Sequence, residues 1–119
     1  MRLAILPFVA AAWFASAPAA AHAFLDHALP AVGSTVHASP PVVRLWFTEE
    51  LEPVFSTVRV LDRNDKQVDA GDSHVESSDS TVLGATVPAL APGTYRVVWR
   101  VVSIDTHVTE GAYTFDVVR

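Results

Sequence analysis

Tyr95-Arg96-Val97-Val98-Trp99-Arg100-Val101 is the stretch that decides the fold. In an extended chain successive side chains point to opposite faces, so Tyr95, Val97, Trp99 and Val101 share one side, and Arg96, Val98 and Arg100 the other. A helix would scatter the same residues around its axis. Pro88 to Gly93 is a turn-rich break ahead of this strand. After Ser103 to Gly111 a last strand sets Tyr113, Phe115 and Val117 inward, against Thr114 and Asp116. Upstream, Val43, Leu45 and Phe47 alternate with Arg44, Trp46 and Thr48. Val54 to Leu61 reads as another extended stretch, closed by the turn chemistry of Asp62-Arg63-Asn64-Asp65. Val68 to Ser80 is small, acidic and hydroxylated, an exposed loop or short edge strands, and Thr81 to Val87 resumes alternation. The opening segment, His22 to Pro40, holds Pro30, Gly33 and Pro40 and reads as an irregular arm lying along a sheet edge. About seven short strands, no helix and no internal repeat predict an all-β chain, a Greek-key β-sandwich or small barrel.

Met1-Arg2, the apolar run from Leu3 to Phe14 and the small residues Ala19-Ala20-Ala21 have the form of a secretory signal. The run is too short for a membrane-spanning helix, which needs about 20 apolar residues. Two A-x-A sites compete. Cleavage after Ala21 releases a chain starting at His22, and cleavage after Ala23 one starting at Phe24; sequence rules do not separate them. With the first, residues 1–21 are the signal and 22–119 form one domain, near the lower size limit for a single core.

Cysteine is absent from all 119 residues, so neither a thiol nucleophile nor a thiolate metal site is available. Net charge is −5, and −6 once Arg2 is removed with the signal. That disfavours nucleic acid and anionic membrane surfaces and mildly favours cations.

An N-terminal histidine carries an amine and an imidazole on one residue, a compact chelator. Asp105 and His107 are two apart, so in an extended segment they project to the same side. His22, Asp105 and His107 together offer three nitrogens and one carboxylate oxygen, a set suited to tetragonal Cu(II). Zinc can use the same atoms tetrahedrally, but copper stands higher in the affinity order. Ligation requires deprotonated amine and imidazole groups, whose ordinary pKa values are about 7.7–8.0 and about 6.5, so affinity falls in acid. A D-x-H triplet alone is weak, since aspartate is common in turns; the coincidence with His22 gives it weight. His27, five after His22, points to the opposite side of an extended arm and reads as surface, although an irregular arm would bring it near the site; His37 and His74 have no partner at ligand spacing and read as solvated. Glu49, Glu50 and Glu52 read as a solvated acidic strand end, and Trp46 and Trp99 as packing residues.

Three blocks of this chain resemble the CopC family (PcoC and YobA-like proteins included) of periplasmic copper-binding proteins, over essentially the whole of 22–119. They are His22-Ala23-Phe24-Leu25 with Pro30-Ala31-Val32-Gly33-Ser34, then Val43-Arg44-Leu45-Trp46-Phe47-Thr48-Glu49 with Phe55-Ser56. The third and most specific runs from Pro92-Gly93-Thr94-Tyr95 through Ser103-Ile104-Asp105-Thr106-His107 to Phe115. The resemblance implies a cupredoxin-like or immunoglobulin-like β-barrel, cleavage after Ala21, and one Cu(II) ion held by His22, Asp105 and His107. It further implies a periplasmic role in copper homeostasis or resistance, often beside a CopD-type inner-membrane copper transport protein. Two departures stand out. The single methionine is Met1, so the soft thioether Cu(I) site of some members is not expected. Val108-Thr109-Glu110 replaces the usual proline-led continuation after the histidine.

The leading reading is therefore a monomeric, non-catalytic Cu(II) binder. A copper oxidase of the histidine-brace type shares the N-terminal histidine, but Asp105 would fill the position oxygen needs. A metal-free immunoglobulin-like interaction module would require His22 to be absent from the mature chain.

Overall fold

The alternation at Tyr95 becomes pleat in the computed structural model, which describes residues 22–119; the expected signal, 1–21, lies outside the described residues. Eight strands form: β1 (Leu25–Leu29), β2 (Thr35–Val36), β3 (Val42–Phe47), β4 (Thr57–Leu61), β5 (His74–Val75), β6 (Val82–Thr86), β7 (Gly93–Val102) and β8 (Val108–Val117). They make two four-stranded sheets, β1-β3-β6-β5 and β2-β8-β7-β4. The chain crosses between sheets after β1, β2, β3, β4 and β6, and the two sheets pack as a sandwich. The all-β expectation holds. The strand count exceeds seven because β2 and β5 are two-residue edge pieces that carry no periodicity of their own.

Inward residues of both sheets meet in one core built on Val43, Leu45, Phe47, Val97, Val101 and Phe115, all nearly or wholly buried. Each such side chain contributes roughly 1.5–3 kcal/mol relative to exposure. Tyr95 stacks on Phe115 with ring centroids 5.7 Å apart and donates its hydroxyl to Ala91 O at 2.6 Å, tying β7 to the turn before it. The Tyr113 hydroxyl is buried without a partner, and burial pushes its pKa up.

Three readings are corrected. The stretch beginning at Val54 is a turn until Thr57, because Pro53 breaks the chain and Phe55 N donates to Glu52 O at 3.2 Å. Residues 82–85 are buried on both faces rather than alternating, since β6 is a central strand with β3 and β5 beside it. β8 begins at Val108, not after Gly111, so β7 and β8 pair along their full lengths from Gly93↔Val117 to Val102↔Val108. That long hairpin leaves a short connection, 103–107.

Carboxylates fasten the long 62–81 excursion. Asp72 Oδ1 accepts from Thr86 N at 2.8 Å, and Asp79 Oδ1 from Thr81 N at 3.0 Å. These threonine bonds hold both carboxyls below the usual Asp value. A depressed native pKa adds stability above the unfolded value and loses it as pH falls through the folded one, so these two carboxylate fastenings weaken in acid.

Candidate metal centre

Two separate pieces of chain build one end of the sandwich. The first is the arm before β1. Thr48, just past β3, prolongs the β1–β3 ladder: its N donates to Phe24 O at 2.9 Å, and its Oγ1 accepts from Phe24 N at 3.0 Å. Thr48 Oγ1 also donates to His22 O at 3.3 Å. Between those contacts the Ala23 methyl is fully buried, so the arm is packed as well as hydrogen bonded.

The second piece is the 103–107 hairpin loop. Ser103 is 1% exposed, and its hydroxyl serves the whole loop: it donates to Asp105 Oδ1 and lies 3.3 Å from both His107 N and His107 O. Thr106 N donates to Ser103 O at 2.8 Å, and Thr106 sits at φ 73°, a left-handed conformation unusual for a β-branched residue. The turn is thus tight and held from inside. The Ser103 hydrogen bond, which outweighs the opposing effect of burial, keeps the Asp105 carboxyl below its usual range, with a lesser contribution from the neighbouring His107 ring.

The fold sets His22 and Asp105 each beside His107. The His22 and His107 rings lie 4.7 Å apart between centroids, inclined by 44°. Asp105 Oδ2 lies 3.3 Å from His107 Nδ1. They stand as a chain, His22 to His107 to Asp105, rather than a triangle. Among the described residues no three His, Asp or Glu side chains are grouped closely enough to hold a metal ion; the Asp105 carboxylate is engaged by Ser103 and His107. With Nδ1 facing the carboxylate, His107 keeps Nε2 for an ion, a common orientation for a ligating imidazole.

The other singled-out residues lie elsewhere. His27 stacks on Trp46 on the outer face, centroids 4.4 Å apart, and pairs with Asp26 at 2.7 Å; Arg44 covers the same indole. His74 Nδ1 bonds Asp72 O at 2.9 Å, and His37 is exposed. Trp99 packs on Phe47 and Tyr113. Glu50 O accepts from Ile104 N at 3.1 Å and Glu52 N donates to Val102 O at 2.7 Å, so the 48–56 connection runs beside the site loop. The two segments 48–56 and 103–107 carry Glu49, Glu50, Glu52 and Asp105 and no lysine or arginine. That local field favours a cation.

Thr48 and Ser103 were missed by sequence reasoning. Ser103 left a trace, a hydroxyl two residues ahead of an aspartate, a pairing that favours local turns. Thr48 left none, since its partners lie 24 and 26 residues away. Ser103→Ala is expected to cost about 1–2 kcal/mol, because it strips a buried loop of its central hydrogen-bonding group. Thermal denaturation checks this; an unchanged melting temperature would show that the loop holds itself.

Fold and site together define a cupredoxin-like β-sandwich with an imidazole and carboxylate cluster at the end where the arm meets the last hairpin. Residues 25–118 match the CopC domain family model, and the chain belongs to the CopC family. It is 38% identical to Protein YobA of Escherichia coli K12 over 100 residues, 82% of this chain and 79% of that protein. The crystal structure of CopC from Methylosinus trichosporium OB3b matches with a TM-score of 0.73 at 37% identity, covering 82% of this chain and 94% of that one. PcoC from Escherichia coli, described as a methionine-rich copper resistance protein, matches with a TM-score of 0.70 at 33% identity, over 82% of this chain and 99% of that one.

Proposed function

We propose that the chain is exported to the periplasm, loses residues 1–21, and carries one Cu(II) ion on His22, Asp105 and His107. The protein is a copper-binding member of a homeostasis and resistance family. Copper is its cargo. Once His22 is the first residue, its amine and imidazole chelate together, the His107 imidazole supplies a third nitrogen, and Asp105 exchanges one of its present bonds for the ion. The carboxylate also offsets part of the ion's charge. The observation that carries this reading is the 4.7 Å approach of the His22 and His107 rings, brought together from opposite ends of the domain.

The site chemistry favours Cu(II) over Cu(I). PcoC is described as methionine rich, whereas this chain has one methionine, Met1, and no cysteine, so no soft sulfur ligand remains after processing. A carrying role rather than catalysis fits the surroundings. Among the described residues, surface recesses of about 370, 130 and 150 Å3 are lined by other residues, and none of these includes His22, Asp105 or His107. A monomer that hands copper to a CopD-type inner-membrane transport protein is the arrangement we favour.

The test is a Cu(II) titration followed by electron paramagnetic resonance on protein beginning at His22 and on protein beginning at Phe24. Only the first is expected to give a strong nitrogen-rich site, and its affinity is expected to fall in acid, because ligation requires deprotonated nitrogen donors. Equal affinity of the two would remove His22 from the site. Ascorbate-driven peroxide formation by the loaded protein would favour the histidine-brace oxidase instead.

A further inference from the structure

An N-terminal residue is ordinarily the most mobile position of a domain, so a ligand placed there works only if something holds it. We propose that Thr48 is that positioning residue: its side-chain hydroxyl, beyond the end of β3, fixes the direction in which His22 leaves the sheet. This rests on the functional reading above and names the group that site depends on.

Thr48 makes three hydrogen bonds that straddle a single residue, Ala23. Its backbone N donates to Phe24 O at 2.9 Å, its Oγ1 accepts from Phe24 N at 3.0 Å, and the same Oγ1 donates to His22 O at 3.3 Å. The backbone bond alone would secure Phe24 and leave His22 free to swing about Ala23. The hydroxyl closes that freedom, because it is engaged on both sides of the Ala23 dihedrals while the buried methyl supplies a third point of attachment. Thr48 is itself exposed and takes no part in the core, so packing gives no reason for its hydroxyl. Ser103 does for His107 what Thr48 does for His22: each hydroxyl holds one half of the pair of rings. The β1–β3 register shifts between Leu25 and His27, so the ladder by itself does not carry its pairing regularly out to His22.

The experiment uses protein beginning at His22, as wild type, Thr48→Val and Thr48→Ser. Valine keeps shape and removes the hydroxyl; serine restores it. In the metal-free protein the nuclear Overhauser contact between the His22 and His107 rings is expected to be lost in Thr48→Val and kept in Thr48→Ser. Cu(II) affinity is expected to fall about 10–100-fold in the first, the size seen when a group supporting a ligand is removed, and by less than about twofold in the second. Thr48→Ala serves if valine disturbs folding. Retention of both the ring contact and the affinity in Thr48→Val overturns the proposal while leaving the copper site standing. If the wild type and the chain beginning at Phe24 bind copper equally, the ligand assignment fails, and the metal-free ring contact alone decides whether Thr48 positions His22.

Discussion

Protein that begins at His22 is expected to lose at least about 100-fold in Cu(II) affinity when His107 is replaced by alanine, and about 10-fold when Asp105 is replaced. The order follows from what each group supplies. His107 is an imidazole donor for which no neighbouring nitrogen substitutes, whereas Asp105 supplies charge and an oxygen that water replaces. Neither change is expected to unfold the domain, because both side chains are exposed and the loop hangs on Ser103. Competition with a Cu(II) chelator of known affinity measures the effect, with thermal denaturation of the metal-free variants alongside. Wild-type affinity in His107→Ala would dismantle the site, and a larger loss in Asp105→Ala would make the carboxylate the anchor.

The largest effect on stability is expected at Gly111. In β8 it lies opposite Trp99 of β7, and a Cβ there would stand 2.3 Å from Trp99 Cζ2 and 2.8 Å from two further ring atoms. Trp99 cannot easily yield, since it packs against Phe47 and Tyr113 with centroids 6.1 and 6.3 Å away. Gly111→Val therefore forces the half-buried indole off the core it packs against or bends the hairpin. A loss of about 3 kcal/mol is expected, the upper end for overpacking, which lowers the melting temperature by roughly 12–24 °C in a domain of this size. Tryptophan emission should shift to the red as the ring meets water. A variant as stable as wild type, with blue emission, would mean that the indole has another place to go.

Gly111 also marks what pattern alone conveys. As a letter it closed a turn; in three dimensions it is mid-strand, vacant because a neighbouring indole needs the space. Val54 to Leu61 was extended in pattern, yet Pro53 delays β4 to Thr57. The burial of both faces of residues 82–85 depends on which strands flank them, and no local period records that. His22, Asp105 and His107 were nameable because coordination chemistry restricts donors to few residue types, and because the family blocks of the chain fall on the same three positions.

The alternation of side chains specified an all-β chain by itself, because a period of two is a property of the backbone and needs no partner. Donor chemistry did the same for the three candidate ligands. Only the tertiary structure decided that His22 lies against His107, that Ser103 and Thr48 hold the two, and that Asp105 leans on His107 instead of closing a cage. These are contacts between segments remote along the chain. Their geometry is set by how two sheets pack, which no stretch of either strand contains.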